Sequence, residues 1–214
     1  MTTTKEKILE TSANLFNEKG CLNTSTRHIA DALGISVGNL YYHFKNKEEI
    51  LITIFFEYMN IIFKEVKLLD LQKDEIFLLK NFLIDNLESD VKYRFLHLEL
   101  NLLLITFPKF KLIMEVQLQN EIKMIKELLN HQIKYGYIKQ MSEIEIDFLV
   151  SNSWILATTN LTYWNLLSSN IIENVKKSAL NMYYLIKPYL TQKSLDNPDV
   201  KEIEIILLKD YNEK

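Results

Sequence analysis

The sequence predicts an all-α fold, and three observations carry that prediction. The 214 residues include only 4 glycines and 3 prolines, where ordinary usage supplies roughly 15 and 10, so few turns are available. Apolar residues recur at the spacing of one helix face nearly throughout. Helix start and stop signals punctuate those runs, with no strand-type alternation between them. Hydrophobic residues make up 48% and charged residues 25%, an ordinary globular composition that excludes bulk disorder.

The elements are taken in chain order. Leu9, Ala13 and Phe16 share one face of a first helix, which Gly20 stops as a left-handed cap. A short helix over about 25–33 buries Ile29, Ala30 and Leu33 and ends at Gly34. Ser36 caps a third that turns Val37, Leu40 and Phe44 inward. Asn46 to Glu49 is a capping-box variant opening a long fourth helix to about Lys67, with Leu51, Ile54, Phe55, Tyr58 and Ile62 as its stripe. Further helices are expected over 74–89, 91–106, 109–135, 142–168, 171–190 and 198–210. Pro108 and Pro198 sit in first turns, Gly136 is a stop, and Ser142/Glu145 and Asn170/Glu173 are capping boxes. The expected division is a head over 1–47 and a helical body over 48–214, joined by the helix at about 47–67.

Composition also excludes chemistries. The glycines spell neither dinucleotide nor P-loop fingerprint. Cys21 is alone, so no intrachain disulfide or paired-cysteine zinc site can be drawn. His97-Leu98-Glu99 has the H-x-E form of a zinc deaminase without its cysteine pair. No H-E-x-x-H or G-x-S-x-G occurs. The expectation is no catalytic residue, no metal and no cofactor. The N-terminal run shows no apolar signal segment. The uncharged stretch from Phe148 to Ile172 is broken by Ser, Thr and Asn, so it reads as a buried helix of a soluble, cytoplasmic protein rather than a membrane span.

The net charge is −3, yet in residues 1–47 Lys5, Lys7, Lys19, Arg27, Lys45 and Lys47 outnumber the acids Glu6, Glu10, Glu18 and Asp31. A mildly basic head on an acidic body fits a protein whose head alone meets a polyanion. The two short helices joined at Gly34-Ile35-Ser36 form a helix-turn-helix, whose second helix is short enough for the major groove. With Leu40 and Phe44 inward, Gly38, Asn39, Tyr41, Tyr42 and His43 face outward.

Residues Ile8 to Leu51, above all the run from Arg27 to Leu51, resemble the N-terminal domain of TetR-family repressors. Gly38-Asn39-Leu40-Tyr41-Tyr42-His43-Phe44-Lys45 is particularly similar to a multidrug-binding member. The resemblance implies phosphate contacts from Thr26, Ser36 and Lys47. It implies phosphate and base-edge contacts from Tyr41, Tyr42 and His43, and a backbone contact from Arg27, which also stands four residues from Asp31. Gly38 would let the backbone approach DNA, Asn39 would read a base edge, and Lys45 would add a basic contact.

The same resemblance implies a homodimer on double-stranded DNA bearing an inverted repeat, released by a small-molecule effector bound in the body. The aromatic supply suits an apolar or aromatic effector, with Phe95, His97, Phe107, Trp154, Thr158, Tyr163 and Trp164 as pocket residues. The helices over 142–168 and 171–190 are the expected dimer elements. The alternative is a DNA-bound protein of the same fold that recruits a protein partner without a small-molecule inducer.

Overall fold

The computed structural model describes residues 3–209. Its helices are α1 Thr4–Lys19, α2 Thr26–Leu33, α3 Val37–His43, α4 Lys47–Ile62, α5 Lys64–Leu68, α6 Leu79–Ile84, α7 Leu87–Lys92, α8 Arg94–Leu98, α9 Leu100–Thr106, α10 Pro108–Lys134, α11 Glu143–Leu167, α12 Ile171–Ile186, α13 Gln192–Leu195 and α14 Pro198–Leu208, with a 3-10 turn at Lys187–Tyr189. Among the described residues the only β pairing is the Ile138–Leu190 bridge. The all-α expectation holds. The end of the helix expected over 198–210 lies outside the described residues.

The chain forms two compact units that cut the sequence elsewhere than at 47/48. One holds the chain up to Asn60 together with Lys92–Val116; the other holds Ile61–Val91 and the described chain from Gln117 onward. The first unit therefore contains more than the head. Ile8, Phe16, Ile29, Leu40, Phe44, Ile50, Leu51 and Ile54 share its interior with Phe95, Leu103 and Phe110 from the later segment. Phe95 meets Phe16 edge-on at 5.1 Å, and Phe110 meets Phe55 at 5.5 Å. The Glu48 carboxylate, on α4, accepts from the Lys109 and Phe110 amides and so caps the start of α10.

In the second unit α11 and α12 form an antiparallel hairpin, and α6, α12 and α14 pack together around Leu79, Leu83, Leu180, Tyr183, Val200, Ile203 and Leu207. Asparagines line part of the hairpin seam. Asn160 donates to the Ser178 carbonyl and accepts from Asn181, while Asn174 donates to Asn165 and to the Ser168 carbonyl.

Several expected helices are interrupted where a distant side chain satisfies the backbone instead. The helix expected over 91–106 breaks at Tyr93 and Glu99. At the first break, Asn17 of α1 donates to the Lys92 carbonyl and accepts from the Phe95 amide. The helix expected over 74–89 begins only at Leu79. There Gln132 donates to the Glu75 carbonyl and accepts from the Phe77 amide, holding the preceding chain extended on α10. The fourth helix breaks at Phe63, which is itself buried. The last expected long helix ends at Ile186, two residues before Pro188.

The cap readings at Ser36, Ser142, Asn170 and Asn197 match hydrogen bonds in the structure. Gly34 ends α2 as expected, in the left-handed conformation at φ 66° and ψ 29°. Gly20 differs, pairing a positive φ of 84° with an extended ψ of 146°. α11 also departs from expectation, because only one of its faces is buried. Phe148, Ile155, Leu166 and Leu167 are all more than half exposed. No helix among the described residues is long and apolar enough to cross a membrane.

One buried acid gives the second unit a pH signature. Glu121 of α10 is buried, and desolvation pushes its carboxyl up to about 7, against a weaker opposing hydrogen bond from Gln117. In the fold this group holds a proton across a window, from its ordinary value of 4.5 to about 7, in which the unfolded chain has released it. Stability should therefore fall as pH rises through that window. Glu121→Gln should flatten the decline and be the more stable protein at pH 8, by on the order of 3 kcal/mol at most. Urea denaturation at pH 5 and pH 8 checks this.

Candidate nucleic-acid interface

The two short helices are built locally. The Ser25 hydroxyl accepts from the His28 amide while His28 Nδ1 accepts from the Ser25 amide, a capping box with histidine as its third residue. Gly34 then reverses the chain, its amide bonding to the Ala30 and Asp31 carbonyls. The Ser36 hydroxyl accepts from the Asn39 amide at 3.1 Å, which starts α3 and leaves its own O–H to donate outward. Inside, Leu40 is fully buried and Phe44 nearly so.

The outer face of α3 carries side chains with no packing task in this chain. Tyr42 is 85% exposed, its ring edge-on to His43 at 5.2 Å. Asn39 and Lys45 are exposed, as is Arg27 on α2, whose 3.8 Å pair with Asp31 is solvated and worth little. Tyr41 is half exposed, and its hydroxyl shares a 3.1 Å hydrogen bond with that of Thr26 at the start of α2. One of the two hydroxyls must donate to the other, so one proton stays available. Within this exposed group α3 contributes no acidic residue.

Gly38 is the informative position on that face. It has no positive φ, and an added Cβ would meet only the Ser36 hydroxyl, at an ordinary 3.8 Å. Neither backbone conformation nor internal packing requires glycine there, although glycine weakens a helix by about 1 kcal/mol relative to alanine.

Lys47 is a correction. Its ammonium donates to the carbonyls of Cys21, Leu22 and Thr24 at 2.6, 3.2 and 2.8 Å. An ammonium has three protons, and all three are spent on the turn between α1 and α2. Lys47 fastens that turn and has none to offer a phosphate. The same turn is held by Thr24, fully buried, whose hydroxyl donates to the Gly20 carbonyl. It is also held by Glu99, whose carboxylate accepts from the Cys21 amide. Burial pushes the Glu99 carboxyl up, opposed by that amide and by Lys47. The sequence carried no signal for Glu99, which stands 78 residues from its partner.

The residues expected to line a pocket fall in both compact units. Phe95 and Phe107 are buried in the first unit, Phe95 against Phe16 and Phe107 with the Lys47 ammonium 5.6 Å from its ring centre. Both are packed in that interior. His97 there hydrogen-bonds the Tyr58 hydroxyl through Nε2 at 2.8 Å. The H-x-E triplet is thus divided between two unrelated partners. Trp154, Thr158, Tyr163 and Trp164 lie on α11 of the second unit. The Thr158 hydroxyl turns back to the Trp154 carbonyl, Tyr163 is exposed, and Trp164 lies under the Lys177 ammonium. The buried indole N–H of Trp164 has no hydrogen-bond partner among the described residues.

Known proteins share both the head and the body. The family model of bacterial regulatory proteins of the tetR family matches residues 8–54, and that of the bacterial transcriptional repressor TetR matches residues 58–197. The HTH-type transcriptional repressor KstR2 of Mycobacterium tuberculosis (strain H37Rv) is 25% identical over 155 residues, covering 70% of this chain and 77% of that one. KstR2 of Mycolicibacterium smegmatis is 34% identical over 59 residues, so that match spans only 29% of the relative and 28% of this chain. A TetR-family transcriptional regulator from Marinobacter aquaeolei VT8 has a TM-score of 0.78 at 27% identity, covering 97% of this chain and 98% of that one. SmeT, the repressor of the Stenotrophomonas maltophilia multidrug efflux pump SmeDEF, shares the fold at a TM-score of 0.68 and 17% identity, covering 93% and 96%.

Two variants separate reading from scaffolding. Gly38→Ala should raise thermal stability by about 0.5–1 kcal/mol and weaken DNA binding by about tenfold or more (~1.4 kcal/mol). Denaturation and fluorescence anisotropy, run side by side, check both signs. Lys47→Met should lower stability by about 1–3 kcal/mol by stripping buried carbonyls of their donor. It should leave the slope of log affinity against log salt unchanged, whereas Lys45→Met should reduce that slope by about 0.9.

Proposed function

The chain belongs to the TetR family of bacterial transcriptional regulators, DNA-binding proteins rather than enzymes, and from that premise we propose a homodimeric repressor that leaves a palindromic operator when a small apolar or aromatic effector binds. It acts in the cytoplasm, where its DNA is. The DNA contacts are Thr26, Arg27, Ser36, Gly38, Asn39, Tyr41, Tyr42, His43 and Lys45. Hydroxyls and the tyrosines hold phosphates, while Asn39 and its neighbours meet base edges. The observation that carries this reading is the outer face of α3, exposed and free of acid around a glycine the fold does not need.

A second observation supports the dimer. Ile144, Phe148, Ile155 and Leu166 fall on one face of α11, interspersed with Ser151, Thr159 and Thr162, and each of the four is more than half exposed. An apolar stripe of this extent marks a contact surface. A two-fold contact through it would join two heads for two half-sites about one helical turn apart.

Relatives support the effector. One neighbouring structure is a SmeT–triclosan complex, at a TM-score of 0.68 and 15% identity, and another is a ketosteroid transcriptional regulator, KstR2 of Mycobacterium tuberculosis, at 0.60 and 18%. In this chain Trp154, Thr158 and Trp164 are the pocket residues we retain, the unpartnered indole N–H of Trp164 being a donor for an effector's acceptor. The effector acts only if it binds the DNA-incompetent state more tightly than the competent one.

Selection of bound duplexes from a random library at fixed salt tests the reading, and an inverted repeat is the expected product. Enrichment of a single asymmetric site, or of none by folded protein, overturns the palindrome. Phe148→Glu with Leu166→Glu should yield a monomer in sedimentation. That monomer should bind the full repeat at least about a hundredfold more weakly while keeping half-site affinity.

A further inference from the structure

The turn over residues 20–24 is gripped by charges of opposite sign, each facing the backbone groups it suits. From α4 the Lys47 ammonium takes three carbonyls, and from the break between α8 and α9 the Glu99 carboxylate takes the Cys21 amide with both oxygens, at 3.0 and 3.3 Å. Three observations converge on Glu99. The helix running from α8 toward α9 breaks at this residue, at φ −114° and ψ 7°. Its carboxylate crowds Gly20, where an added Cβ would stand 3.1 Å from Oε1. Cys21, whose amide it holds, is fully buried beneath it. Beyond the turn the chain enters α2 and then α3.

We propose that Glu99 is a positioning residue for DNA reading: through the 20–24 turn it aims α2 and α3 while touching no DNA itself. It rests on the DNA-reading role of the head. The property that matters is an acceptor of the right reach; the negative charge is secondary. A change in the α8–α9 break reaches the 20–24 turn through this contact.

Three substitutions test it, read by affinity for the tightest duplex from the selection and by backbone amide spectra of the free protein. Glu99→Gln keeps an acceptor at the same reach and should preserve both affinity and the spectrum. Glu99→Ala should weaken binding by about tenfold without changing the salt slope, and should shift resonances of α2 and α3 but not of α11 and α12. Glu99→Asp, shorter by one methylene, should behave like the alanine variant, and it serves in place of alanine if that protein does not fold. Wild-type affinity with unshifted α2 and α3 resonances in the alanine or aspartate variant overturns the proposal, as does a glutamine variant as weak as alanine. The spectra need no DNA, so this proposal and the palindromic reading fail separately.

Discussion

The turn joining α1 to α2 is the constraint on which the head depends. A buried carbonyl or amide left unpaired costs about 1–3 kcal/mol, and this turn turns several inward. Thr24 answers from inside the turn, Lys47 from α4, and Glu99 from far along the chain. Because α2 starts two residues beyond Thr24, the direction of the whole helix-turn-helix is set by how these groups are met. The reader is therefore not autonomous. Its own side chains build the caps and the small interior around Leu40, while its placement is decided by residues outside it. Lys92–Val116, which carries Glu99, belongs to the same compact unit as the head.

What was legible in the sequence was whatever has a local cause. Ser36, Ser142, Asn197, Gly34 and Pro108 act within four residues of themselves, and each stands where its type and context put it. The outward face of α3 was legible for the same reason, since helical period alone separates Leu40 from Asn39 and Tyr42. The breaks at Tyr93 and near Leu79 were not, because Asn17 and Gln132 act from 78 and 55 residues away. A helical period runs through Tyr93 undisturbed. Lys47 misleads because a lysine at the start of α4 looks the same in sequence whether its protons face solvent or three carbonyls. Phe95 and Phe107 are ambiguous on similar grounds, since phenylalanine suits a core and a pocket wall equally.

The uncharged run in α11 shows how composition misleads about burial. Its lack of charge suggests a helix covered on all sides. In the structure Asn160, nearly inaccessible, faces α12, where Asn174 and Asn181 lie, while Phe148 and Leu166 face outward. Part of the packed seam is polar and the open face apolar, the reverse of a solvated surface helix. The seam tolerates this because its amides bond one another and nearby backbone. Left in water, the outward face forgoes about 25 cal/mol for each Å² of apolar surface. A second copy, as proposed for this face, would supply that cover.

Magnitudes decide whether the turn can carry regulation. Coupling between an effector and DNA typically amounts to about 1–3 kcal/mol. Leaving a buried amide without its acceptor costs about 1–3 kcal/mol, so the Glu99 contact alone is of that size. No repacking of Leu40 or Phe44 is needed, and none would be economical, since core rearrangements of that kind cost several kcal/mol. Linkage then fixes the reverse effect. If losing the Glu99 contact weakens DNA binding by a given factor, bound DNA strengthens that contact by the same factor. DNA would thus hold the α8–α9 break in the geometry seen here, and an effector that favours a straighter helix would have to overcome it.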